Sequence, residues 1–195
     1  MKQLYTKESI MRMQSPEYLF FWGHTPAKGG SLSEACLSQM WSCGFGDNGE
    51  EGAGCRWYNS AEQYMMAQKA LLFGDNETFE KIMAEYNPVK IKKLGREVKG
   101  FDSELWDKVK YNVIYVGNYL KFTQNKALGL YLLDTRDLVL VEASPYDSVY
   151  GIGMSADDKD ACCPRLWKGE NLLGFALMAV RDNVKRLAKY RYWTN

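Results

Sequence analysis

The chain of 195 residues has a single histidine, His24, and no Cys-x-x-Cys pair. Tetrahedral metal sites are built from closely spaced Cys and His ligands, so these shortages argue against a zinc-stabilised fold. A Ser-His-Asp triad would have to use His24, and no nucleophile motif accompanies it. Gly-x-x-x-x-Gly-Lys-[Ser/Thr] and Gly-x-Ser-x-Gly are both missing, and Gly44-Phe45-Gly46 lacks the third glycine of a dinucleotide-binding turn. There is no apolar run long enough to span a bilayer, and the first residues, Met1 to Glu8, carry no apolar secretory core. Five cysteines, an odd number, fit free thiols in a reducing compartment. The expectation is a cytoplasmic protein with no membrane partner. A formal charge of +1 gives no overall pull towards nucleic acid or acidic partners, though a local basic groove is still allowed. No internal repeat or low-complexity tract is visible. What remains is one ordinary globular chain, long enough for a sizeable core.

Within it, Tyr18–Trp22 reads as a short buried strand and the segment from Gly23 to Gly30 as a loop. Cys36–Trp41 reads as a second strand, Gly44–Gly54 as a turn or flexible loop, and Cys55–Tyr58 as the return strand. Ser60-Ala61-Glu62-Gln63 has the form of a capping box, opening a helix that runs to Phe73 and stops at Gly74. Further helices are expected over Glu77–Tyr86, from the Asn87-Pro88 start to about Val98, from an Asp102 or Ser103 cap, and over Asn125–Leu133. In the long helix after Asp102, the apolar positions Leu105, Val109, Val113, Val116 and Leu120 recur at helical spacing. Asp137–Ala143 is a strand, Ser144–Gly153 a loop, and Asn171 caps a last helix reaching Tyr192. Strands, then helices, then strand and helix make an α+β protein that is mainly α-helical, with a small β-sheet.

Three groups of residues suit chemistry. Glu62, Met66 and Lys69 lie at i, i+4 and i+7 and project from one helix face. On spacing alone, solvent-exposed charge is the leading reading, and a pocket lining is the rival. The loop from Glu142 to Gly153 follows a buried strand and carries Asp147, Tyr150 and Gly151; local Asp capping of a turn and a ligand-binding loop are equally open. Trp106 and Trp167 would fill core or offer a stacking face, and spacing does not choose between them. Lys185, Arg186, Lys189 and Arg191 close the last helix, where complementing its dipole is the leading reading and phosphate contact the minority one.

Read together, these segments resemble one family. The resemblance runs through Asn59-Ser60-Ala61-Glu62-Gln63-Tyr64, Lys69-Ala70, Lys93-Leu94-Gly95-Arg96, Trp106 and Lys121-Phe122-Thr123-Gln124-Asn125. It continues in Leu140-Val141-Glu142-Ala143-Ser144, Asp147, Tyr150-Gly151-Ile152-Gly153, and Trp167-Lys168-Gly169-Glu170-Asn171-Leu172-Leu173-Gly174 through to Arg181. These motifs, kept in order over most of the chain, are similar to the NADAR (YbiA-like) family. The resemblance implies a single NADAR domain over 17–185, with 1–16 an N-terminal extension and 186–195 the end of the C-terminal helix.

It also implies an N-glycosidase, acting either on ADP-ribosylated guanine or on ribosylamino-pyrimidine phosphates of riboflavin biosynthesis. By the same resemblance, Glu62, Lys69 and Asp147 carry catalysis, while Asn59, Arg96, Trp106, Tyr150, Gly151 and Trp167 bind substrate, with no metal and no cofactor. Where the family pattern has Trp before Gly-Ile-Gly, this chain has Tyr150. The aromatic stretch Phe20-Phe21-Trp22-Gly23-His24-Thr25-Pro26 looks like the longer members and favours the ADP-ribosyl substrate. Nucleic acid as the carrier of that substrate, and functional pairing with an ADP-ribosyltransferase, belong to the same expectation. A non-enzymatic module that binds ADP-ribose, and a protein that neutralises a partner by contact, are the competing readings. Glu62, Lys69 and Asp147 together speak for catalysis, because a reader module needs neither acid nor base.

Overall fold

The computed structural model describes residues 3–48 and 54–189. The chain forms two compact units, one built from Met1–Ser38 and Lys126–Asn195, the other from Gln39–Asn125. Among the described residues the composition is α+β and mainly helical, as expected, with the strands in two two-stranded sheets.

The first unit holds α1 (Lys7–Met11), β1 (Tyr18–Phe21), α6 (Lys126–Asp134), β4 (Val139–Glu142) and α7 (Leu172–Lys189). Strands β1 and β4 are parallel, with Tyr18 opposite Val139 and Phe21 opposite Glu142. Val139, Leu140 and Val141 are buried, as are Leu173 and Leu177 of α7, the helix that packs on β4. At Gly174 an added methyl would overlap the Leu140 carbonyl, so the absence of a side chain lets α7 lie close to the strand. Arg181, also buried, ties α7 to the turn before β4 by donating from Nη1 to Thr135 Oγ1 (2.8 Å) and to the Leu138 carbonyl (2.9 Å). The N-terminal residues join this unit too. Thr6 and Ser9 form a reciprocal capping box on α1, Ile10 is fully buried, and Tyr5 Oη donates to Asp182 on α7 (2.7 Å). Burial first, and Asp182 second, push the Tyr5 phenol up to about 12.

The second unit holds β2 (Phe45–Asp47), β3 (Arg56–Tyr58), α2 (Ala61–Leu72), α3 (Asn76–Ala84), α4 (Pro88–Arg96) and α5 (Ser103–Gln124). Phe45, Tyr58 and Tyr64 meet ring to ring at its centre, at centroid distances of 5.1–6.2 Å. Gly117 on α5 admits the Tyr64 ring, whose Cδ1 would stand 2.6 Å from a methyl placed there. Helix α4 meets α2 in the same way, since a methyl on Gly95 would overlap Met66 Sδ.

Several expectations need correction. The expected strand Cys36–Trp41 is instead a 3-10 turn, Glu34–Leu37. The strand that pairs with Arg56–Tyr58 is Phe45–Asp47, inside the segment read as turn; Gly49–Ala53 of that segment lie outside the described residues. Trp22 is outside the strand and 56% exposed. On α5 the expected apolar stripe is not the most buried face: Leu105 and Val116 are exposed and Val109, Val113 and Leu120 only partly buried, while Trp106, Ile114, Gly117, Asn118, Lys121 and Phe122 are buried. That face includes Asn118 and Lys121, both fully buried, which hydropathy assigns to solvent. The expected helix end at Tyr192, and Arg191 with it, fall outside the described residues. Among the described residues no helix is long and apolar enough to cross a membrane.

Two predictions follow from these contacts. Gly95→Ala overpacks the α2–α4 contact and should lower stability by about 1–3 kcal/mol, read from the urea midpoint at constant m-value. Asp75 caps α3 through Oδ1 to the Thr78 amide (3.1 Å) and accepts the Lys99 amide through Oδ2 (2.8 Å). Those amide bonds, the Lys99 one foremost, lower its carboxyl from 3.8 to about 2. Its stabilisation is therefore complete above about pH 4 and is lost as pH falls through 2. Asp75→Asn should unfold at lower urea than wild type at pH 6, and the two midpoints should converge as pH approaches 2.

Candidate active-site residues

Helix α2 begins as its sequence requires. Ser60 adopts an extended conformation and its hydroxyl accepts the Gln63 amide (3.1 Å). Gln63 does more than close a capping box. It is fully buried; its Oε1 accepts the Asn59 amide (2.7 Å), and its Nε2 donates to the carbonyls of Ile82 (2.9 Å) and Glu85 (3.0 Å) at the end of α3. Asn59 is thereby fixed through its backbone, its carbonyl accepting the Cys43 amide (2.9 Å), and its side chain is partly exposed.

Glu62 follows in the first turn. Its amide donates to the Gln39 carbonyl (2.9 Å), and the residue is only 3% exposed. The solvent-exposed reading of Glu62 is thus overturned. Two turns on, Lys69 is half-buried. Its ammonium donates to the Gly95 carbonyl (2.8 Å) and lies 4.1 Å from the Phe101 ring centre and 5.9 Å from that of Trp106. Burial lowers its pKa from the ordinary 10.5; the carbonyl and the rings hold the cation without a carboxylate partner being required. Trp106, in the first turn of α5, is 7% exposed. Arg96 closes α4, one residue after the glycine that takes the Lys69 bond, and its side chain is exposed. Lys69, Trp106 and Gly95 are thus brought together, with Glu62 buried on the Lys69 helix. The sequence reading missed Phe101, the ring nearest the ammonium. Its only signal was its place between Gly100 and the Asp102 cap.

In the first unit, Asn171 orders the strand end. It stands at the start of α7, as expected, its carbonyl accepting the Phe175 amide (3.1 Å), while at a φ of +55° its Oδ1 accepts the Glu142 amide (3.0 Å) and its Nδ2 donates to the Leu140 carbonyl (3.0 Å). The loop beyond β4 is held by Asp147, whose Oδ1 accepts the amides of Val149 (3.0 Å) and Tyr150 (2.8 Å). Local capping, one of the two open readings, is therefore realised at this oxygen. The Asp147 carbonyl accepts the Gly153 amide (3.1 Å), and the Ile152 amide returns to the Glu142 carbonyl (2.9 Å). Gly151 is enclosed by these turns; a methyl there would lie 2.8 Å from the Glu142 carbonyl and 3.0 Å from that of Asp147. Tyr150 is partly exposed, and its carbonyl accepts the Leu173 amide in the first turn of α7 (3.0 Å). Trp167 is 5% exposed, donates from Nε1 to the Ala161 carbonyl (2.7 Å), and has its ring against Tyr18 and Phe175. Its place is in packing.

Glu62 is thus a buried carboxylate two turns before a part-desolvated ammonium on the same helix, and Asp147 is a carboxylate on a glycine-rich loop of the first unit. Among the described residues no three His, Cys, Asp or Glu side chains are grouped as metal ligands.

Residues 20–185 match the family described as the NADAR domain. The chain is 44% identical over 172 residues to N-glycosidase R617 of Acanthamoeba polyphaga mimivirus, covering 87% of this chain and 98% of that protein. It is 30% identical over 131 residues to riboflavin biosynthesis protein VVA0006 of Vibrio vulnificus, covering 67% of this chain and 32% of that one. Among solved structures it is similar to the NMR structure of Escherichia coli YbiA, with a TM-score of 0.68 at 22% identity and 94% of both chains covered.

Phe101→Ala should re-expose the Lys69 ammonium and raise its pKa towards 10.5. Nitrogen-15 NMR titration of the lysine Nζ groups reads this directly; an unchanged Lys69 value would remove the Phe101 ring as a cause of the desolvation.

Proposed function

The chain belongs to the NADAR family, and on that premise we propose that it removes ADP-ribose from ADP-ribosylated guanine by hydrolysing the bond between ribose C1 and the exocyclic amine. It is a glycosidase acting on an N-glycosidic bond. The observation that carries the catalytic reading is the burial of Glu62 two turns from an ammonium seated on aromatic rings. A module that only binds ADP-ribose has no need of either group.

Scission of the C1–N bond sends its electron pair to nitrogen and develops positive charge at C1. The nitrogen takes a proton, water adds to C1, and the products are ADP-ribose and guanine. The two carboxylate roles, stabilising C1 and activating water, fall to Glu62 and Asp147. Lys69 serves in one of two ways. As ammonium it protonates the departing nitrogen. As neutral amine it attacks C1 of the opened sugar, expels the base amine and leaves a Schiff base that water then hydrolyses. Arg96, exposed at the end of α4, offers its fork of donors to phosphate, and Trp106 and Tyr150 offer aromatic faces. The aromatic segment from Phe20 to Pro26 supports the ADP-ribosyl substrate. A second reading, hydrolysis of ribosylamino-pyrimidine phosphates, is favoured by the likeness to the Vibrio vulnificus riboflavin protein.

Mass spectrometry of the products decides between them. Wild type should release ADP-ribose and restore guanine from an ADP-ribosylated oligonucleotide, and Glu62→Ala and Asp147→Ala should each lose roughly 100- to 10,000-fold in rate. Ribose phosphate released only from a ribosylamino-pyrimidine phosphate would move the protein to the second reading; no cleavage of either, with ADP-ribose still bound, would make it a reader. The Lys69 route shows in the alkaline limb of the rate profile. Activity falls as pH rises through the lowered Lys69 pKa if the ammonium is the acid, and rises through it if the amine attacks. Borohydride should trap a protein–sugar adduct only in the second case, and Lys69→Arg should abolish the trapping.

A further inference from the structure

Two large aromatic side chains of the first unit stand in solvent against one another. Trp22 is 56% exposed and Tyr146 87% exposed, with ring centroids 6.0 Å apart and planes tilted by 49°. Neither is left outside by accident of a loose tip. Trp22 directly follows β1, and Tyr146 lies four residues beyond β4. Because the strands are parallel, both residues leave the sheet at its carboxyl edge, where the Ala143 amide donates to the Phe21 carbonyl (2.9 Å). The Tyr146 amide is anchored on Ser144 Oγ (3.3 Å), and its neighbour Asp147 is fixed by the two amide bonds to Oδ1. Hydrogen bonds thus hold the turn that presents Tyr146, and Trp22 directly follows the paired strand.

We propose that Trp22 and Tyr146 form a stacking platform for a nucleobase, beside the loop that carries Asp147. This deepens the hydrolase reading and rests on it for the identity of the substrate. A tilted pair of exposed rings keeps aromatic surface in water, which a flat heterocycle would cover. Stacking of this kind tolerates any base, because every base has a π-face. It calls for no charged partner, in keeping with a chain of net charge +1. The base is either the substrate's own or its neighbour in a single strand; the chemistry is the same, and the two sources separate experimentally.

The test uses the full-length protein with Trp22→Ala, Tyr146→Ala, the double variant and Trp22→Phe, each first checked for an unchanged thermal midpoint. Calorimetry would measure binding of ADP-ribose, an eight-nucleotide single-stranded DNA, and ribose 5-phosphate, which has no base. Each alanine variant should weaken one or both base-bearing probes roughly tenfold. Trp22→Phe should restore most of that loss, and ribose 5-phosphate should be unaffected throughout. Steady-state kinetics then locate the base. A raised KM for ADP-ribosylated guanosine and oligonucleotide alike assigns it to the substrate itself; a raised KM for the oligonucleotide alone assigns it to the neighbour. Wild-type affinity of the double variant for both base-bearing probes would overturn the platform, as would failure of wild type to bind either. Base-dependent binding without any turnover would leave the platform standing and sink only the hydrolase reading.

Discussion

A primary amide taken wholly out of water must find partners for its donor and its acceptor, and in each unit of this chain one such amide fixes the backbone on which the candidate residues stand. In the second unit it is Gln63. Its oxygen holds the Asn59 amide and its nitrogen the last carbonyls of α3, so the entry to α2 and the exit from α3 are one hydrogen-bonded assembly. Glu62 is the preceding residue, and its burial follows from how that first turn is pinned. In the first unit it is Asn171, which bridges the Leu140 carbonyl and the Glu142 amide at the edge of β4. Both strands of the parallel pair are only four residues long, and a side chain that completes the edge stands in for the neighbour a longer sheet would supply.

The two amides also show where the sequence is legible and where it stops. Ser60–Gln63 announces a helix start, and the helix is there; the reach of Gln63 to α3 depends on a contact 19 residues away that no local spacing encodes. Asn171 announces a helix start in the same way, yet adopts a left-handed conformation and turns its side chain to a strand 29 residues earlier. Helices α2 to α6 were readable because caps, Gly74 and Pro88 are local signals. The 3-10 turn at Glu34 was misread because a short apolar run fits several backbones, and the strand Phe45-Gly46-Asp47 because its composition is that of a turn and only pairing with Arg56–Tyr58 makes it a strand. Helix α5 is the sharpest case. Its sequence is apolar on two adjacent faces, and the face carrying Asn118 and Lys121 is the buried one. There Gly117 receives Tyr64, a shape match that hydropathy does not weigh.

For the candidate site, residue identity was legible and environment was not. Spacing put Glu62 and Lys69 on one face but left them exposed, since that is the usual fate of charge. What changes the reading is a small residue on another helix. Because Gly95 has no side chain, α4 approaches Met66, and the carbonyl of that same glycine receives the Lys69 ammonium. One missing methyl thus sets both a packing distance and the desolvation of a cation. Phe101 completes that setting from a loop position, where sequence patterns carry least information.

The aromatic residues divide by the same logic of what each group can satisfy. Trp167 has its indole N–H bonded to a carbonyl and its ring against Tyr18 and Phe175, so nothing of it is left to offer a ligand. Trp106 is nearly as buried, but its ring faces an ammonium, and its π-surface contributes to the electrostatics of Lys69. Trp22 and Tyr146 keep their surface in water although a folded chain has every reason to cover it. Burial, a polar contact and exposure are three fates of one side-chain type, and composition cannot tell them apart. The hydrogen bonds of the backbone around each ring can, and at Tyr146 they show an exposed ring on an ordered turn, which is the condition for stacking at little entropic cost.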